Sequence, residues 1–148
     1  MYYFAYGSNM DLKRLRKRGV NPRKMRAAVL PGHRLCFNKR FDSNAGEGKA
    51  NIVEQTDESV EGILSEVTPE EIARLDRYEG VPAHYLRARV VVTPEDGTEV
   101  EAVTYVANPS MVMEGLKPTK EYLSYLLAGR SFLSSQYIRG LEGTGTLD

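Results

Sequence analysis

Glu79 is the first residue whose type and position suggest chemistry. It follows Ile72 and Leu75 on one face of a predicted helix, and the apolar members of such a face point into the protein. Glu79 also lies near the helix C-terminus, where the helix dipole disfavours an anion. A carboxylate held inward at such a position is a candidate general acid/base. If the helix ends one residue earlier, Glu79 is instead an ordinary surface acid.

A second candidate site is the segment Tyr6-Gly7-Ser8-Asn9, which follows a short apolar strand predicted for Tyr2 to Tyr6. A helix is expected from Asn9 to Arg18, with Ser8 as its cap. Gly7 allows close approach of a ligand, and a helix N-terminus offers backbone N–H groups to an oxyanion or a carboxylate. The alternative is that Ser8 and Asp11 only cap a helix.

Three tyrosines that follow Glu79 are candidates for the wall of a binding site. Tyr85, Tyr105 and Tyr122 alternate with apolar residues in predicted strands and a helix. A tyrosine in such a position either lines a polar cavity or packs its ring in the core and makes one hydrogen bond.

The surrounding elements predict an α+β domain. Thr68, Pro69 and Glu71 carry the pattern of a capped helix start, and the Asp96-Gly97 pair is typical of a hairpin. The predicted helices after the first cover residues 68–78, 119–127 and 134–139. The predicted strands after the first cover residues 27–30, 33–39, 50–55, 60–67, 85–93 and 98–107, with a turn at Pro31-Gly32. Strands that are adjacent hairpin partners favour a small, mostly antiparallel sheet that closes into a barrel.

Composition narrows the function classes. The chain has 148 residues, the size of one domain, which we place at residues 1–140 with a mobile tail at 141–148. Its 20 basic and 20 acidic residues give no net charge, so we expect no nucleic-acid partner and no membrane. The single cysteine, Cys36, and the absence of a signal-peptide pattern indicate a cytoplasmic protein. His33 and His84 lack metal-ligand spacing, and no metal is expected.

Several motifs together resemble the γ-glutamylcyclotransferase family, which includes the γ-glutamylamine cyclotransferases and the AIG2-like proteins. The resemblance covers nearly the whole chain, through "FAYGSNM", "GKANI", "VEGILSEVTPEEIARLDRYEGVPAHYLRARV", "AVTYVANP" and "KPTKEYLSYLLAG". The pairing of "YGSN" with "LDRYEG" about 70 residues later is its most specific part.

The resemblance implies a small barrel with flanking helices and a central cavity. It also implies conversion of a γ-glutamyl amino acid or amine to 5-oxoproline and the free amino acid or amine, without a cofactor. Glu79 matches the family's catalytic acid/base. The residues that match its substrate-binding positions are Tyr3, Phe4, Ala5, Tyr6, Gly7, Ser8, Asn9, Tyr85, Tyr105 and Tyr122. A small γ-glutamyl substrate and a homodimer are the expected partners.

Two other functions stay open at this level. One is a branch of the same fold that acts on γ-glutamyl-ε-lysine or on a γ-glutamylated biosynthetic intermediate. The other is a catalytically idle module that binds a small ligand. The sequence also leaves open whether an arginine, for example Arg40 or Arg87, contacts the substrate.

Overall fold

Five β-strands and four α-helices make up the chain, which the computed structural model describes from Met1 to Asp148. The strands are β1 (Tyr2–Ala5), β2 (Arg23–Arg40), β3 (Gly48–Glu66), β4 (Tyr85–Pro94) and β5 (Val100–Ala107). The helices are α1 (Leu12–Lys17), α2 (Pro69–Tyr78), α3 (Lys120–Leu127) and α4 (Ser135–Glu142).

The strands close into a barrel in the order β1-β3-β2-β4-β5. β1 runs parallel to β5, with Tyr3 opposite Val103, and every other pairing is antiparallel. Fully buried apolar side chains such as Phe4, Leu64 and Val92 fill the core. The predicted α+β class, a small and mostly antiparallel barrel with flanking helices, is therefore confirmed.

The hairpin of β2 and β3 differs from the prediction of four short strands. The predicted turn at Pro31-Gly32 is a register shift inside one long strand: Pro31 pairs with Ser59, but His33 pairs with Glu54. Gly32 has a φ of +72°, which glycine adopts readily because it has no side chain. The register shift at this glycine bends the strand without reversing its direction. The bend lies between the barrel and the end of the hairpin.

The first helix also differs from the prediction of one helix capped by Ser8. Residues Ser8–Met10 form a single 3₁₀ turn, and the backbone of Asp11 is extended, with φ −80° and ψ 107°. The Asp11 carboxylate accepts hydrogen bonds from the backbone N–H groups of Lys13 and Arg14. Asp11 is therefore the N-cap of α1, whereas the Ser8 hydroxyl accepts a hydrogen bond from Arg14 Nε.

The later elements follow their local signals. Thr68 and Glu71 form the predicted capping box at the start of α2, and Gly97 has a positive φ in the predicted hairpin turn. α3 begins after its Thr119 cap as predicted. α4 extends to Glu142, two residues into the segment that was set apart as a tail, and Leu141 is buried. The division of the chain near residue 140 and the mobility of the tail stay predictions.

The four α-helices are too short or too polar to cross a lipid bilayer.

Candidate active site

A small cavity lies where β1 ends, next to the C-terminus of α2. It brings together ten of the eleven residues singled out in the sequence. The lining residues are Tyr3, Phe4, Tyr6, Gly7, Ser8, Asn9, Ala50, Glu79, Tyr85, Thr104, Tyr105 and Tyr122. Ala5 does not line the cavity; it is buried in the barrel wall, where it pairs with Ile63.

Glu79 is the C-cap residue of α2, and its side chain is 15% exposed. Ile72 and Leu75 on the same face are fully buried, so the helix turns Glu79 toward the cavity. The Asn9 amide donates a hydrogen bond to Glu79 Oε1 at 3.1 Å, and Arg18 Nη1 lies 3.5 Å from the same oxygen. Burial raises the pKa of Glu79, whereas Arg18 and Asn9 oppose that rise.

Asn9 connects the loop to the carboxylate. Its amide nitrogen also lies 2.9 Å from the Tyr3 hydroxyl, and its carbonyl oxygen accepts from Arg18 Nη1 at 3.2 Å. Since both ends of the amide are engaged, Asn9 holds the loop, Arg18 and Glu79 in one geometry.

Two tyrosines are fixed by one backbone position in β3. The Tyr85 hydroxyl donates to the Ala50 carbonyl at 2.7 Å, and the Tyr122 hydroxyl accepts from the Ala50 N–H at 3.0 Å. Burial raises the pKa of Tyr122 to about 12 and that of Tyr85 well above its usual value. Both hydroxyls therefore keep their protons at neutral pH.

Tyr105 is held from outside the cavity. Its hydroxyl donates to Asp76 Oδ1 at 2.7 Å, and Asp76 in turn pairs with Arg87. Arg87 therefore reaches the site only through Asp76. Arg40 pairs with Asp42 and does not line the cavity.

A second, larger outer pocket adjoins the first, and the two share Ser8, Glu79, Tyr85 and Tyr122. Its wall carries cations from two elements. Arg14 and Arg18 come from α1 and its C-cap, and Lys39 and Lys49 come from the hairpin of β2 and β3. Glu79 thus lies at the boundary between a tyrosine-lined cavity and a cationic pocket.

The sequence matches the family model described as "Gamma-glutamyl cyclotransferase, AIG2-like" over residues 3–126. The chain belongs to this family. The match includes the loop at Tyr6 to Asn9, Glu79 and all three tyrosines that follow it.

Individual relatives of this γ-glutamyl cyclotransferase family member are distant. A γ-glutamylcyclotransferase from Bos taurus is 26% identical over 131 residues, which cover 86% of this chain and 68% of the relative. A solved γ-glutamyl cyclotransferase structure superposes with a TM-score of 0.87 at 23% identity, over 100% of this chain and 89% of the other. A structure of an uncharacterized human protein gives the same TM-score at 24% identity, over 99% and 89%. These two structures show the shared fold.

In this γ-glutamyl cyclotransferase family member, sequence reasoning missed the cations. Arg14 and Arg18 lie in a basic stretch that resembles a solvated helix face. Lys39 ends one predicted strand and Lys49 lies just before the next predicted strand, so no local pattern placed them together. The polar loop predicted at residues 41–49, which in the structure is the connection at 41–47 between β2 and β3, was the one signal that could have paired them.

Proposed function

We propose that this chain is a cyclotransferase that converts a γ-glutamyl amino acid or amine to 5-oxoproline and the free amino acid or amine. Glu79 is the general acid/base. The observation that carries the proposal is the largely buried Glu79 carboxylate, which borders the tyrosine-lined cavity and is held by Asn9 and Arg18. Membership of the family supports the same reaction.

The reaction needs only groups that the cavity offers. The substrate's α-amine attacks its own γ-carbonyl and closes a five-membered ring. The nucleophile is already tethered, and effective molarities of about 10⁵ M or more are attainable for such steps. Glu79 takes a proton from the substrate ammonium and returns one to the leaving nitrogen, so the C–N bond to the amine breaks without consuming water.

The other lining residues suit the remaining tasks. The Tyr3 and Tyr122 hydroxyls accept hydrogen bonds from Asn9 and from the Ala50 N–H, so each keeps a proton that it can donate to an oxyanion or a carboxylate. Gly7 and Ser8, at the start of the 3₁₀ turn, present backbone close to the ligand space. An idle binding module would have no use for a carboxylate kept out of water, since such burial costs free energy. A cytoplasmic location and a homodimer remain parts of this proposal.

The product decides the reaction class. Purified protein incubated with γ-glutamyl dipeptides and γ-glutamyl amines should release 5-oxoproline, measured by mass spectrometry. Glutamate as the primary product, heavier by one water, would mean hydrolysis and would overturn the cyclisation.

Glu79→Gln tests the role of the carboxylate. Glutamine keeps the shape but cannot accept the proton, so kcat should fall by roughly 10²- to 10⁴-fold. Glu70→Gln, on the exposed first turn of the same helix, is the matched control and should keep normal kcat. A folded Glu79→Gln protein that loses less than about tenfold would show that another group moves the proton.

A further inference from the structure

The outer pocket carries an excess of positive charge that the reaction chemistry leaves unexplained. The protein as a whole has no net charge, yet Arg14, Arg18, Lys39 and Lys49 line this pocket and Glu79 is the one acid among the lining residues. Arg18 is committed to Glu79. The two lysines have no comparable role in the proton transfers.

Lys39 and Lys49 are direct cross-strand partners on β2 and β3. Like charges directly opposite each other destabilise a sheet, so an unliganded lysine pair at this position is unfavourable. Lys49 Nζ is offset by Glu47, whose Oε2 lies 2.8 Å away. Lys39 has no such carboxylate.

Lys39 is a largely buried residue whose ammonium has no carboxylate within ion-pair distance. The residue is 5% exposed, and its Nζ lies 2.9 Å from Nδ1 of His84 and 5.5 Å from the centroid of the Tyr85 ring. Burial lowers the pKa of Lys39, and neighbouring Asp42 and Glu79 oppose the decrease. A buried charge without a counter-ion is costly, and a bound anion would relieve that cost.

Lys39 and Lys49 lie near the boundary between the inner cavity and the outer pocket. Lys49 Nζ lies 4.4 Å from the centroid of the Tyr122 ring, just as Lys39 Nζ lies over the Tyr85 ring. Tyr85 and Tyr122 each line both the inner cavity and the outer pocket. The inner cavity has no lining cation. With the γ-glutamyl half of the substrate in the inner cavity and its scissile bond at Glu79, the leaving half extends toward the two lysines.

We propose that Lys39 and Lys49 form a subsite for a carboxylate on the leaving half of the substrate. The preferred substrates are then γ-glutamyl amino acids and peptides, in which this carboxylate follows the scissile amide, over γ-glutamyl amines that lack it. This inference rests on the proposed function. Two ammonium groups suit a carboxylate because charge-assisted hydrogen bonds are stronger than neutral ones.

The test compares two substrates that differ only in the carboxylate, γ-glutamyl-alanine and γ-glutamyl-ethylamide. We expect the wild-type kcat/KM for 5-oxoproline release to be about tenfold or more higher with γ-glutamyl-alanine, the factor typical of a hydrogen bond to a charged group. Lys39→Met should bring the ratio toward one, whereas Lys39→Arg should preserve most of it. Lys13→Met, at an exposed position on α1, should leave the wild-type ratio unchanged.

Binding gives a second readout that needs no turnover and no change at Lys39. Calorimetry on Glu79→Gln protein should show tighter binding of γ-glutamyl-alanine than of γ-glutamyl-ethylamide, with a difference that shrinks as NaCl is raised. Equal use of the two substrates, or an equal loss for both in Lys39→Met, would overturn the subsite and leave the cyclotransferase proposal standing. Release of no 5-oxoproline from either substrate would overturn both.

Discussion

Glu79 meets two demands that oppose each other. A base must be ionised to accept the substrate's proton, but its position out of water favours the neutral acid, and the pKa of Glu79 is raised. Arg18 and Asn9 limit that rise through contacts to the same carboxylate oxygen. A pKa moved closer to the working pH improves a group that must both take and return a proton.

Because the pKa of Glu79 is raised, we expect its ionised carboxylate to lower the stability of the folded protein at neutral pH. A carboxyl group whose folded pKa exceeds its unfolded value contributes stability below the unfolded pKa, near 4.3, and loses that contribution as pH rises through the folded pKa. Glu79→Gln should therefore melt at a higher temperature than the wild type at pH 7.5. The difference should narrow at pH 4, and calorimetric melts at both pH values measure it. An unchanged or lower melting temperature for the variant at pH 7.5 would show that Arg18 and Asn9 fully offset the cost of burial.

We expect Arg18 to set the pH below which kcat/KM decreases, which is the acid limb of the pH profile. The Arg18 guanidinium lowers the pKa of Glu79 relative to burial alone, so Arg18→Met should let that pKa rise and should move the acid limb of kcat/KM to higher pH. Arg16→Met, at an exposed position on the same helix, should keep the wild-type limb. A pH profile of Arg18→Met whose acid limb coincides with that of the wild type would remove Arg18 from the control of Glu79.

At the scale of elements, the junction between β1 and the 3₁₀ turn leaves little room for a side chain. A Cβ on Gly7 would lie 3.2 Å from Cβ of Ala50 and 3.7 Å from the Tyr122 hydroxyl. Gly7 itself has φ −111°, outside the left-handed region. Glycine therefore suits this position for space and not for backbone conformation, and we expect a branched residue to push the loop away from β3 and α3.

Gly7→Val should consequently lower kcat/KM by at least about tenfold, because misplaced positioning residues cost activity steeply. Steady-state kinetics with a thermal melt of the same preparation measure this. Gly140→Ala, in α4 where a Cβ meets open space, is the control and should retain activity. Near-normal turnover in a folded Gly7→Val protein would place the loop outside the site.

The sequence predicted best those elements whose ends are specified by residues close together in the chain. Thr68, Pro69 and Glu71 specify the start of α2 within four residues, and the helical period then places Glu79 on the buried face. The cap of α1 was ambiguous because Ser8 and Asp11 are both good capping residues. Lys39 and Lys49 were not placed together, because the connection at 41–47 that makes them cross-strand partners was not recognised as the end of a hairpin.

At the scale of the whole molecule, truncation can test where the folded domain ends along the chain. Leu141 is 3% exposed, and burial of such a side chain contributes roughly 1.5–3 kcal/mol. A chain that ends at Gly140 should melt about 4–10 °C below one that ends at Gly143. The segment after Gly143 reaches past α4 through two hydrogen bonds, from Leu147 N–H to Pro118 O and from Lys120 N–H to the Asp148 carboxylate. Its removal should have a smaller effect on melting than removal of Leu141, and equal melting temperatures for chains ending at 140 and 143 would place the domain boundary before Leu141.

The parallel pairing of β1 with β5 has a consequence for biosynthesis. Tyr3 pairs with Val103. During synthesis, β1 therefore cannot pair with β5 until about 100 further residues have left the ribosome. Contacts between such distant residues also slow folding, because the intervening loop must close first. Until then one edge of β1 is open to other chains. A chaperone that covers this edge of β1 until β5 is complete would therefore protect the nascent chain from aggregation.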